Sequence, residues 1–142
     1  KQYLAKRHED QLAIVGIESE PALNRLDEIL AVPGIDALFV GPNDLTTSLG
    51  IPDELADPRY IRALKTIIGK AEAKGVPVMV HHQTIDASNI AIGLGARFIL
   101  HSSDAGMLLR AAQRDFAALR EAVAPARVGK ARKASKDTLD VV

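Results

Sequence analysis

The chain has no cysteine, only 4% aromatic residues and no excess of either charge, with lysine plus arginine and aspartate plus glutamate at 18 each in 142 residues. Without cysteine there are no disulfides, thiolate metal sites or cysteine nucleophiles, a composition that suits a reducing compartment. The charge balance creates no field toward nucleic acid or an anionic membrane. Scarce aromatics argue against a stacking platform for single-stranded nucleic acid. No apolar stretch approaches the roughly 20 residues of a membrane-spanning helix. The stretch from Lys1 to Arg7 is partly basic, but no long apolar region follows it, so no secretory signal is read there. Nucleophile elbows, Gly-rich phosphate loops and His-Glu-x-x-His zinc motifs are missing as well. These absences imply a cytoplasmic protein without nucleic-acid or membrane partners.

What is present is an apolar content of 47%, enough for a sizeable core in one domain. Four short apolar runs alternate with stretches of helical period. Leu12 to Ile17 is followed by Ser19-Glu20-Pro21, an N-cap with proline in the first turn, and by Leu23, Leu26, Ile29 and Leu30 at helical spacing. Ala37 to Val40 is followed, after a loop, by Asp57-Pro58 and the stripe Ile61, Leu64, Ile67, Ile68, Ala71, with Gly75 as the stop. Val76 to Val80 carries an early proline that only the start of a strand tolerates. Thr84-Ile85-Asp86 then opens a short helix ending near Gly93 or Gly95. Phe98 to Leu100 precedes Ser103 or Asp104, either of which can cap a long helix through Leu108, Leu109, Ala112, Phe116 and Leu119. Short apolar strands separated by helices predict an α/β fold with a parallel sheet buried on both faces. Residues 129–136, basic and rich in small side chains, read as a solvated tail.

In parallel α/β folds, ligands bind at the carboxyl ends of the strands. Here every apolar run ends there on polar side chains: Glu18, then Asn43 and Asp44, then His81 and His82, then His101, Ser102, Ser103 and Asp104. Plainer roles stand beside each. Glu18 could cap or ion-pair the next helix, and Gly41-Pro42-Asn43-Asp44 spells a turn in which Asp44 could be an Asx-turn or helix-cap residue. His81 and His82 point to opposite sides of a strand, so at most one faces a site and either could be a hydrogen-bonded structural histidine. Asp104 is most simply an N-cap, and His8 reads as a surface residue. Two carboxylates without sulfur ligands form a hard oxygen site, which favours Mg²⁺ or Mn²⁺ over structural zinc.

The segments Ile17-Glu18-Ser19, Ile35 to Thr46 with its Gly41-Pro42-Asn43-Asp44-Leu45 core, Leu49-Gly50, Gly75 and Asp104-Ala105-Gly106-Met107-Leu108-Leu109 resemble the metal-dependent (class II) pyruvate aldolases of the hydroxy-heptenedioate and 2-keto-3-deoxy-sugar-acid aldolase family. The likeness covers roughly residues 10–122. It implies a TIM (β/α)8 barrel of which this chain supplies about the last four β/α units, in residues 1–123, with 124–142 as a basic tail. It further implies that Glu18 and Asp44 hold a divalent metal, Mg or Mn with Co as another candidate. Asn43 and Asp44 would lie at the substrate carboxylate. The implied reaction is aldol cleavage or condensation of 2-keto-4-hydroxy acids, giving pyruvate and an aldehyde through a metal-stabilised pyruvate enolate. No Schiff-base lysine is needed, and none stands at a strand end.

Two features depart from the family pattern. Gly16 stands where the family usually has a glutamine, and His81-His82 does not map onto the family pattern, leaving open a role in aldehyde choice or a structural one. The family's keto-polarising arginine and its proton-transfer histidine belong to the first half of the barrel, so no catalytic residue is assigned here and the N-terminal half is required. The resemblance also implies a homo-oligomer that exchanges its last helices, from about Asp104 onward, between subunits. Two other readings remain open: a lyase acting on CoA thioesters of hydroxy acids on a related barrel, and a non-catalytic half barrel that binds metal and keto acid.

Overall fold

The computed structural model describes residues 11–130, with side chains described through Val123. The segment Lys1 to Arg7, His8 and the tail beyond residue 130 lie outside the described residues. The chain forms two compact units, one ending at Ser102 and the other beginning at Ser103.

The first unit is built on a four-stranded sheet in the order β1 (Ile14–Gly16), β2 (Ala37–Val40), β3 (Val78–His82), β4 (Phe98–His101). All three pairings are parallel, with Leu38 opposite Val78, Val40 opposite Val80 and Val80 opposite Ile99. The connecting segments are helical: α1 (Glu20–Asn24) and α2 (Leu26–Ile29) after β1, α3 (Pro42–Ser48) and α4 (Pro58–Glu72) after β2, and α5 (Ile85–Gly93) after β3. The second unit contains α6 (Asp104–Lys130). This helix continues past Val123 into the stretch read from sequence as tail.

Alternation along the strands decides what is buried. Leu38, Val40, Val78 and Val80 share one face and pack with Leu26, Leu45, Leu64, Ile67 and Ile68 of the helices into the core. The opposite face carries Ile14, Phe98 and Leu100, exposed at 43%, 46% and 45%. The sheet expected to be buried on both faces is therefore covered by this chain's described residues on one face only. A parallel sheet needs helices or a closed barrel to cover its second face, and these residues supply neither.

Two local expectations change. The helix after Ser19 is interrupted at Arg25, whose φ of −106° and ψ of 19° leave the helical region. Gly41-Pro42-Asn43-Asp44 is not a simple turn: Gly41 is the N-cap of α3 and Pro42 its first residue, a position where a missing N–H costs nothing. Other punctuation is as the composition predicts. Ser19, Asp57 and Thr84 cap α1, α4 and α5 with their side-chain oxygens, and Ser103 Oγ accepts the Gly106 amide, 3.1 Å, at the start of α6. Among the described residues no helix is long and apolar enough to cross a membrane.

Candidate functional site

Glu18 lies two residues past the end of β1, on the open face of the sheet by the strand's alternation. Its carboxylate bends back across two glycines. A β-carbon placed on Gly41 would sit 2.6 Å from Glu18 Oε1, and one on Gly16 would sit 3.3 Å from Glu18 Cδ. The first distance is inside van der Waals contact, so only glycine at position 41 lets the carboxylate rest there. Gly16, which departs from the glutamine expected on family grounds, leaves room for the same bend.

Gly41 also begins α3, and Asp44 lies exposed in the first turn of that helix. The Glu18 loop and α3 are tied together, because the Glu20 amide donates to Ser48 Oγ at 3.0 Å. Thr46, fully buried, anchors α3 from below. Its hydroxyl donates to the Pro42 carbonyl at 2.8 Å and accepts the Asp53 amide at 3.1 Å. Asn43 turns its side-chain amide to Asp53 Oδ1, 2.9 Å away. Asp53 itself holds a left-handed backbone, φ 62°. The Asn43 side chain is thus committed to the loop. Glu18 and Asp44 stand on two adjacent, cross-linked segments at the carboxyl ends of β1 and β2.

The two histidines separate as strand alternation requires. His82 is buried with the core, 1% exposed, and its Nε2 lies 2.9 Å from the Tyr60 hydroxyl, with the two rings edge to face. The hydroxyl donates in this bond: the reverse would leave the Tyr60 proton unpaired in addition to Nδ1, which is buried without a partner. Burial, reinforced by nearby His81, pushes the His82 pKa down, and burial pushes the Tyr60 phenol up. Both stay neutral and structural. His101, opposite His82 in the register, also has a buried, unpartnered Nδ1.

His81 points to the other face, the face of Glu18. Its Nε2 lies 3.0 Å from the Ser102 carbonyl. Asp104, in the second unit, accepts the Ala105 amide at 2.7 Å, a helix-start role.

Sequence reasoning singled out the acids but missed Gly41 as the floor under Glu18, Tyr60 as the partner of His82, and Ser48 as the clasp between segments. A two-residue period would have put Gly41 on the Glu18 face. Nothing in sequence announces the other two contacts.

The structure is thus a parallel α/β unit that carries Glu18 and Asp44 at the carboxyl ends of adjacent strands. The family model for HpcH/HpaI aldolase/citrate lyase matches residues 5–111, and the chain belongs to that family. It is 37% identical over 97 residues to the 2-keto-3-deoxy-L-rhamnonate aldolase of Escherichia coli (strain K12), covering 68% of this chain and 36% of that one. Its fold is similar to an HpcH/HpaI aldolase/citrate lyase family protein from Burkholderia cenocepacia J2315, with TM-score 0.79 and 31% identity over 84% of this chain and 47% of that chain. An HpcH/HpaI aldolase from Desulfitobacterium hafniense DCB-2 gives TM-score 0.75 and 26% identity over the same shares. The chain therefore spans about a third to a half of the length of the relatives it matches.

Proposed function

We propose that this chain forms the metal-binding half of a class II aldolase that cleaves 2-keto-4-hydroxy acids to pyruvate and an aldehyde. The observation that carries the reading is the Glu18 carboxylate laid over Gly41, at the start of the helix that bears Asp44. Family membership and the 37% identity to an aldolase support it.

The donor set fits a hard cation. Among the described residues no three histidine, aspartate or glutamate side chains cluster to hold a metal by themselves. Two carboxylates with the remaining positions left to water and substrate oxygens suit Mg²⁺ or Mn²⁺. When bound, such an ion supplies Lewis acidity at the keto group of a 2-keto acid, drawing electrons from the C3–C4 bond as it breaks or forms. The protein's own part is positioning. Gly41 gives Glu18 its place, the Glu20–Ser48 hydrogen bond holds the two acid-bearing segments together, and Asp53 fixes Asn43. The amides of Asn43 and Asp44 lie in the first turn of α3, where a helix offers no carbonyl partner, so they are available to a substrate carboxylate. The groups that move protons are assigned to the rest of a (β/α)8 barrel, outside these residues. Exchange of the C-terminal helices between subunits of an oligomer belongs to the same proposal.

The test is calorimetry and turnover with the complete enzyme. Oxalate or pyruvate is expected to bind only with Mg²⁺ or Mn²⁺ present, and Glu18→Gln and Asp44→Asn should each abolish aldol cleavage while the thermal transition stays within a few degrees of wild type. Metal-independent binding, or cleavage that survives both substitutions, refutes the assignment.

A further inference from the structure

On the open face of the four strands, alternate positions are apolar or glycine, from Ile14 on β1 through Phe39 and Met79 to Phe98 and Leu100, with one polar exception, His81. Its place is specific. The register pairs Gly16 with Phe39, Phe39 with Met79 and His81 with Leu100. Two residues further along, Glu18, Gly41 and His81 fall in one row across three strands. Gly41 in the middle of that row has no side chain, and the Glu18 carboxylate lies over it. Backbone to backbone, Glu18 and His81 are two strand spacings apart, about 10 Å. In the row between them Gly41 contributes no side chain, and the Glu18 carboxylate occupies the place a β-carbon would take.

The imidazole is held in one orientation. Ser102 adopts a left-handed backbone, φ 58°, unusual for a residue other than glycine. Its amide donates to the His82 carbonyl at 2.9 Å, while its own carbonyl meets His81 Nε2 at 3.0 Å. A carbonyl only accepts, so Nε2 carries the proton and donates. Gln83 Nε2 lies 3.3 Å from the same nitrogen, a longer contact than the carbonyl's 3.0 Å, and Gln83 Oε1 accepts from the Ser102 hydroxyl at 3.4 Å; the shorter contact to the carbonyl sets the tautomer. With Nε2–H fixed, Nδ1 is an acceptor, and it belongs to the side of the ring nearer the strand. Strained backbone at Ser102 thus orients one polar acceptor on an otherwise apolar face.

We propose that His81 is a specificity-determining residue: its Nδ1 accepts a hydrogen bond from a hydroxyl on the aldehyde half of the substrate, beyond the bond that is cleaved, and Leu100 beside it accommodates the alkyl part. This rests on the aldolase reading above. The pyruvyl end sits at Glu18 and Asp44, and the distal carbons extend along the row over Gly41 toward β3. An apolar wall with one fixed acceptor distinguishes a hydroxylated aldehyde from its alkyl analogue, because the unpaired acceptor is a cost only in the second case.

The experiment uses the complete enzyme with Mg²⁺, pyruvate, and either 2-hydroxyacetaldehyde or acetaldehyde, alongside exchange of pyruvate methyl protons in D₂O followed by NMR. The exchange reports the pyruvate half alone. His81→Leu is expected to lower kcat/KM for the hydroxylated aldehyde relative to acetaldehyde about tenfold, with proton exchange within about twofold of wild type. His81→Asn, whose Oδ1 replaces Nδ1, should restore most of the preference. An unchanged aldehyde ratio in His81→Leu with exchange intact overturns this inference alone. Loss of exchange together with turnover also overturns it, since His81 would then support the whole site. A wild-type enzyme without exchange or cleavage overturns the aldolase reading, and this inference with it.

Discussion

Gly41 is unusual among the glycines because its need is steric rather than conformational. Its φ of −85° is open to any residue, yet a β-carbon there would approach Glu18 Oε1 to 2.6 Å. Gly41→Ala should therefore displace the Glu18 carboxylate without unfolding the chain. We expect metal affinity to fall by about tenfold or more, the scale of effects from residues that orient ligands, with little change in thermal stability. Calorimetric titration with Mn²⁺ beside a melting curve checks this. Equal metal affinity in the alanine variant would show that Glu18 does not ligate from this position. The carboxylate itself was legible in sequence, as an acid ending an apolar run. Its support was not, because the approach of Gly41 runs between strands about 20 residues apart.

At the scale of elements, β3 and α4 are joined by the Tyr60–His82 hydrogen bond inside the core. The His82 pKa lies below its usual 6.5, first through burial and then through His81. The folded protein therefore binds fewer protons at this site than the unfolded chain does just below pH 6.5. Stability from the neutral imidazole is complete above that pH and is lost as pH falls toward the folded-state value, by at most about 1.4 kcal/mol per pH unit. His82→Gln removes this titration. The gap in melting temperature between wild type and His82→Gln should narrow from pH 7.5 to pH 5.5, and a constant gap would show that His82 is not buried neutral. The strands at the core, 37–40 and 78–82, were readable because apolar runs and a proline marked them. α3 was not, since Gly-Pro-Asn-Asp is both turn chemistry and a helix start, and the buried Thr46 hydroxyl, bonded to Pro42 and Asp53, supports the helix without any signal in composition. The break at Arg25 was equally hidden, because Leu23, Leu26, Ile29 and Leu30 keep helical spacing through it.

The largest scale concerns the sheet as a whole. β1 and β4 end the strand order, so each has an outer edge without a strand partner among the described residues. The face between them exposes Ile14, Phe98 and Leu100. Unpaired edges and an apolar sheet face are the features that barrel closure removes, and relatives of about twice this length show the same segment as part of a longer chain. The pairing rule that puts Leu38 and Val40 inward puts Phe39 on the other face, and the proposed barrel would cover that face with further β/α units. We therefore expect the 142 residues expressed alone to bind an apolar dye or self-associate, and, on the proposed function, to turn over 2-keto-4-hydroxy acids at least a hundredfold more slowly than the complete enzyme. Coexpression with the remaining β/α units should suppress dye binding and restore turnover together, because one interface closes the barrel and completes the site. Full turnover by the 142 residues as a monomer would show that the open face needs no cover and that every catalytic group is already present in this chain.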